Sequence, residues 1–211
     1  MVARWQISHW PKCEFHVFLS HCAEDRDRFV IPLRQELERR QILSWIDRHH
    51  FPSGTAAYEA IREGLLKCRH IVYLVTPETL KRARGWVAVE KTYGDLIQSR
   101  FRDQELELSH VELPLYFVPQ DDVILSRSIW QTVREKGKFY ADGKVATKRA
   151  VTWAADQIEA FVIQEERRGS TIADNITHDP EMWTKYGHDV NFLQRVAASD
   201  PPRIEMTEMP Q

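Results

Sequence analysis

Trp86 and Glu90 stand four residues apart in Gly85-Trp86-Val87-Ala88-Val89-Glu90. On an α-helix that spacing puts the two side chains on one face. The segment follows a hydrophobic run and the Thr76-Pro77 turn, so it opens a helix just after a strand. A carboxylate beside an indole in that setting suits the stabilisation of a cationic sugar. A Glu on an amphipathic helix is otherwise most often a solvated surface residue, so the surroundings decide between the two readings.

Two upstream segments are as unusual. Phe15-His16-Val17-Phe18-Leu19-Ser20-His21 leads into Cys22-Ala23-Glu24-Asp25, where an acid before Arg26 reads as a helix cap. In Ile46-Asp47-Arg48-His49-His50-Phe51-Pro52-Ser53-Gly54, Pro52 restricts the backbone and Gly54 admits a positive φ. Taken alone, that is a turn joining a strand to a helix. Other chemistries find little support. His49, His50, His70 and Cys68 lack any C-x-x-C or H-E-x-x-H spacing, so no metal is expected. No Gly-x-Ser-x-Gly elbow, Gly-x-Gly-x-x-Gly turn or Gly-Lys-Ser/Thr loop is present. Lys81-Arg82-Ala83-Arg84 reads as a solvated loop, with a diphosphate as the alternative occupant.

The elements that must position these residues alternate between two periods. Strands are expected at Phe15–Leu19, Leu43–Ile46, His70–Val75, Leu113–Val118 and Lys138–Tyr140, the last on a weak pattern. The third run is almost wholly apolar, as suits a strand covered on both faces. Pro114 argues for a strand start or an edge position. Helical stripes fall at Phe29, Leu33 and Leu37, at Ala57, Ile61 and Leu65, at Trp86, Val89, Tyr93 and Leu96, and at Val151, Ala154, Ile158 and Phe161/Val162. Pro32 implies a late start or a kink in the first helix. The alternation predicts an α/β fold with a doubly wound parallel sheet, in which ligands gather at the carboxyl ends of the strands. The three unusual segments all fall at those ends.

With 211 residues the chain can bury one good core plus a small appendage. Its formal net charge of -2, with acids and bases interspersed, argues against nucleic acid as partner. The longest apolar run, Ile71-Val72-Tyr73-Leu74-Val75, is far too short for a membrane span. The N-terminus lacks the apolar stretch of a signal peptide. The odd set Cys13, Cys22 and Cys68 reads as reduced thiols, which places the protein in the cytoplasm. Gly169-Ser170-Thr171 is expected to break the final helix, so residues 12–167 form the domain and 168–211 a partly helical extension with a loose tail.

In order and separation, the three segments resemble the TIR (Toll/interleukin-1 receptor) domain family, over roughly residues 14–165. The resemblance implies a flavodoxin-like sheet. It also implies NAD as a substrate rather than a cofactor, cleaved at the nicotinamide–ribose bond, with Glu90 as catalytic glutamate. Substrate-binding residues would be His21, Cys22, Asp47, His50, Phe51, Gly54 and Trp86, with Trp86 packing the sugar and residues 48–54 forming a lid. His49 replaces the usual acid of that loop, Ser53 separates Pro52 from Gly54, and the third family box has no clear counterpart. Stand-alone members resemble microbial immune effectors, and self-association through TIR–TIR contacts is implied. Two alternatives remain open: a non-enzymatic TIR adaptor, and a module that binds NAD without turnover.

Overall fold

The computed structural model describes residues 14–47, 57–81, 87–88, 90–92, 94, 112–125, 130, 134, 137–141, 144–145 and 147–178, with the backbone alone at 57–59, 62, 66 and 166–178. The five apolar runs become strands: β1 Phe15–Ser20, β2 Ser44–Trp45, β3 Cys68–Val75, β4 Glu112–Tyr116 and β5 Lys138–Phe139. They pair in parallel in the order β2-β1-β3-β4-β5, the doubly wound arrangement expected from the alternating pattern. Helices α1 Ile31–Arg39, α2 Ala57–Lys67, α3 Pro77–Lys81, α4 Gln120–Leu125 and α5 Lys148–His178 complete the described elements.

Because successive strand residues point to opposite faces, the longer strands β1, β3 and β4 feed two cores. On one face Val17, Leu19, Val72, Leu74, Leu115 and Phe117 meet Phe29, Leu33 and Leu37, together with Ala154, Ile158 and Val162 of α5. On the other, Phe18, Ile71, Tyr73, Val75 and Tyr116 meet Ile61 and Leu65 of α2, Val87, Val123 and Trp130. All eight residues of the central β3 are buried, as its apolar run demands.

Local chemistry explains the entry and exit of α1. Pro32 sits in its first turn, where the missing N–H is least costly. Before it the chain passes through a short 3₁₀ turn, Ala23–Asp25, and a wider π turn, Arg26–Val30. At the other end Gln41 takes a left-handed φ of 64°. Its N–H donates to the Glu38 carbonyl, and that of Ile42 to the Leu37 carbonyl, each at 2.9 Å. This paired bonding closes the helix as a Schellman turn, with buried Ile42 over buried Leu37.

Two expectations need correction. Gly169-Ser170-Thr171 does not end the last helix; the α5 backbone runs on to His178. One glycine costs a helix only about 1 kcal/mol relative to alanine, which a long helix tolerates. Pro114 lies in the middle of β4, between two neighbours, not at a start or an edge. It escapes the penalty on the β5 side because that pairing begins one residue later, at Leu115↔Lys138. The predicted stripe Trp86, Val89, Tyr93 and Leu96 lies outside the described residues, and the described residues of the same segment are treated below.

Candidate active site at the carboxyl ends of the strands

The sheet order places β1 and β3 side by side while their connections leave in opposite directions, the switch point beyond whose carboxyl ends doubly wound sheets generally form a ligand crevice. β1 ends at Ser20, which lies opposite Tyr73 of β3. Val87, Ala88, Glu90, Lys91, Thr92 and Gly94 are helical. Val87, Glu90, Lys91 and Gly94 are buried, and their spacing makes them one helix face.

Glu90 is only 4% exposed. The Ser20 hydroxyl donates to its Oε2 at 2.5 Å. Burial pushes the Glu90 carboxyl up to about 8; the Ser20 hydrogen bond opposes the rise and the charge of Asp47 adds to it. The group is therefore mainly protonated at neutral pH, and a cation brought close to it would favour its ionised form.

Asp47 follows β2 and is held by Arg26, whose Nη2 donates to both carboxylate oxygens at 2.5 and 2.6 Å. The clamp fixes the residue from which the 48–54 segment departs. His21, on the other side, donates from Nδ1 to the Leu19 carbonyl at 2.9 Å. Its Nε2 faces Asp47 Oδ1 at 3.4 Å and makes no hydrogen bond among the described residues. Burial holds the His21 imidazole below its ordinary value, against the pull of the Leu19 carbonyl and Asp47. The contact is thus that of a neutral ring with a carboxylate rather than an ion pair at neutral pH.

Cys22 is buried and its thiol donates to Glu24 Oε2 at 2.8 Å. Asp25 does not cap the following helix through its side chain, contrary to the expectation from sequence. Its Oδ2 instead accepts from the Thr76 hydroxyl at 2.6 Å. Burial raises the Asp25 carboxyl, and the Thr76 bond partly counters that. Thr76 Oγ1 also accepts from the backbone N–H of Thr79 at 3.2 Å, capping α3, with Pro77 in its first position. The loops after β1 and β3 are tied together by this one hydroxyl.

Of the residues singled out from sequence, Glu90, His21, Cys22 and Asp47 all fall at this end of the sheet, and Asp47 acts electrostatically on both Glu90 and His21. His50, Phe51, Gly54 and Trp86 lie outside the described residues. Sequence reasoning missed Ser20 as a partner of Glu90 and Arg26 as the holder of Asp47. The signal for Ser20 was its place directly after the expected strand Phe15–Leu19; Arg26 gave none, since an arginine in a charged helix normally reads as surface. Among the described residues, no group of three or more His, Cys, Asp or Glu is placed to hold a metal. No described helix is long and apolar enough to cross a membrane.

The family model for the TIR domain matches residues 17–132, more than half of the chain. The chain belongs to the TIR domain family. Among curated proteins none matches this TIR domain. Among solved structures, the TIR domains of the activated Roq1 resistosome directly recognising the pathogen effector XopQ are 17% identical to it, over 92% of this chain and 89% of that one, with a TM-score of 0.40. The family match takes in Ser20, His21, Cys22, Asp47 and Glu90, whereas β5 and α5 of this TIR domain lie beyond it.

Proposed function

We propose that this TIR domain cleaves the nicotinamide–ribose bond of NAD, as a glycohydrolase or cyclase, with Glu90 as the catalytic carboxylate. The observation that carries the reading is the buried Glu90 carboxyl, hydrogen-bonded to the last residue of β1 and sited at the switch-point crevice. In the reaction the bond between the anomeric carbon and the pyridinium nitrogen breaks, and its electron pair leaves with nicotinamide, which departs neutral. Positive charge develops on the ribose ring, as in glycoside cleavage generally. One carboxylate in a site of low dielectric stabilises that charge, so no strong general acid is required.

The protonation state of Glu90 gives the site a preference. Without a cation nearby, its proton is favoured at pH 7. The pyridinium ring of oxidised NAD supplies the cation that favours ionisation, and the displaced proton goes to solvent. The neutral ring of the reduced cofactor supplies none. The site therefore favours the oxidised form by charge. Water, which gives up a proton to solvent as its oxygen bonds to the anomeric carbon, then yields ADP-ribose, or an atom of the substrate itself bonds there and yields a cyclised isomer. Membership of the family supports, as part of the same proposal, a role in immune signalling and activity that rises on self-association.

The experiment is nicotinamide release from NAD by the purified protein beside Glu90→Ala, at several protein concentrations. Release that steepens with concentration and disappears in the variant supports the reading. Equal release from both proteins, or none from either in dilute and assembled forms, overturns it; the second result favours a non-enzymatic adaptor.

A further inference from the structure

We propose that Tyr73, Lys91 and Glu112 are positioning residues that fix the rotation and height of the helical turn carrying Glu90. The proposal rests on the reading of Glu90 as the catalytic carboxylate, and its geometry lies on the strands next to that residue. Lys91 follows Glu90 directly and is 3% exposed. Its ammonium faces Glu112 Oε2 at 3.4 Å and stands 5.9 Å from the centre of the Tyr73 ring. The Tyr73 hydroxyl donates to the other oxygen, Glu112 Oε1, at 2.8 Å. Glu112 is the first residue of β4 and Tyr73 belongs to β3, so the lysine is held by two strands at once.

The next turn of the same face closes on the same hydrogen bond. At Gly94 a Cβ would stand 2.6 Å from the Tyr73 hydroxyl, 2.9 Å from Ile71 Cδ1 and 3.1 Å from Glu112 Oε1. Glycine here lets the helix backbone rest on the Tyr73–Glu112 pair. Along one helix face the contacts therefore run in order: Glu90 to β1, Lys91 to β3 and β4, and Gly94 to β3 and β4.

Hydrophobic contact is non-directional, so an all-apolar face could settle at more than one rotation. A buried ion pair is directional, because turning the helix by one residue, about 100° and 1.5 Å, would leave two charges buried and apart. Replacing such a pair by apolar side chains often leaves stability unchanged or improved. Stability alone thus does not account for the pair, whereas orientation does. Misplacing a reacting group by about 1 Å can cost about a hundredfold in rate, and a pinned Lys91 pins its neighbour Glu90. Among the described residues, the groups acting on Glu90 are the Ser20 hydroxyl on β1 and the Asp47 carboxylate after β2, with Lys91 adjoining on its own helix.

The test uses the full chain and four variants: Glu112→Gln, Tyr73→Phe, Glu90→Gln and the double replacement Lys91→Met/Glu112→Leu. Each is followed by thermal unfolding, by kcat and KM for nicotinamide release from NAD, and by the titration midpoint of the Glu90 carboxyl in carbon-13 NMR, assigned with Glu90→Gln. Glu112→Gln should lower Tm, and the double replacement should regain it. At regained Tm, the double replacement should show kcat reduced about tenfold or more with KM within about threefold, and a Glu90 midpoint moved by about one unit or more. Wild-type Tm, kcat and midpoint together in that variant would overturn the proposal. Should the wild-type protein release no nicotinamide, the midpoint in Tyr73→Phe, which removes no charge at neutral pH, decides alone: a shift upholds the positioning role while the glycohydrolase reading falls, and an unmoved midpoint overturns that role. Should the double replacement not fold, Tyr73→Phe, which removes one hydroxyl, replaces it, and an unmoved kcat and midpoint there count against the proposal.

Discussion

Ser20 and Glu90 lie 70 residues apart in the chain, and one hydrogen bond of 2.5 Å joins the end of β1 to the buried carboxyl. The bond favours the ionised form of Glu90, while the nearby Asp47 carboxylate disfavours it. The two neighbours thus pull one group in opposite directions.

Their removal should move the acid limb of the pH–rate profile in opposite directions. Ser20→Ala should raise it by about one unit, the worth of a hydrogen bond to a charged group. Asp47→Asn, which keeps the shape and removes the charge, should lower it. The profile of kcat/KM between pH 5 and 10 reads both shifts. Parallel movement of the two variants would contradict this account of the Glu90 environment.

Stability should carry the same signature. The Glu90 carboxyl is raised from 4.5 in the unfolded chain to about 8 in the fold. Between those values the folded protein holds a proton that the unfolded chain releases, so its contribution is full below about pH 4.5 and is lost as pH rises through about 8. Glu90→Gln has no such proton to lose. Its Tm relative to wild type should climb by about 3 °C or more between pH 5 and pH 9, as read by calorimetry. Two curves that keep a constant separation would exclude the buried, protonated carboxyl.

Gly94→Ala tests the close approach of the helix to the sheet. Alanine gains about 1 kcal/mol of helix propensity over glycine. Its Cβ, however, would meet the Tyr73 hydroxyl and the Ile71 side chain well inside contact distance. Overpacking of this kind costs about 1–3 kcal/mol, so urea unfolding should show net destabilisation. A more stable variant would mean that the helix stands further from β3 than described.

Gln41→Gly should act in the other direction. A Cβ at the left-handed φ of 64° costs about 1–2 kcal/mol, and the greater freedom of glycine in the unfolded chain cancels part of that relief. A net gain of about 0.5–1 kcal/mol in chemical denaturation is expected, with nicotinamide release unchanged. Loss of stability would show that the Gln41 side chain makes up more than its backbone strain.

The sheet was legible in the sequence because its central strands lie in short apolar runs between turns and all of β3 is buried, while β5 left only a weak pattern. The stripe Phe29, Leu33, Leu37 and the late helix start at Pro32 were legible for the same reason: both follow from side-chain period and ring geometry. The Glu90 neighbourhood was legible only in part. Its position at a strand end follows from chain order, but its partner Ser20 becomes visible only when β1 and the helix are brought together. Lys91 and Glu112 carried no signal in the sequence, since no periodicity distinguishes a charge that will be paired in the interior from one that will be solvated. The expected cap at Asp25 failed on similar grounds. A short-range role was inferred, and the Thr76 hydroxyl 51 residues away supplied a long-range one.

Cys22 and Cys68 are both buried and neither forms a disulfide, yet they are covered by different things. Cys22 sits in the loop after β1, against Glu24, where the rearrangement of a few residues would uncover it. Cys68 begins β3 inside the apolar cluster with Phe18, Leu65 and Ile71, and only the parting of the sheet from α2 would do the same. Local and global opening differ widely in free energy within one fold. The two thiols therefore behave as a fast and a slow clock under alkylation. A ligand that closes the crevice would stop the first while leaving the second to report the stability of the whole domain.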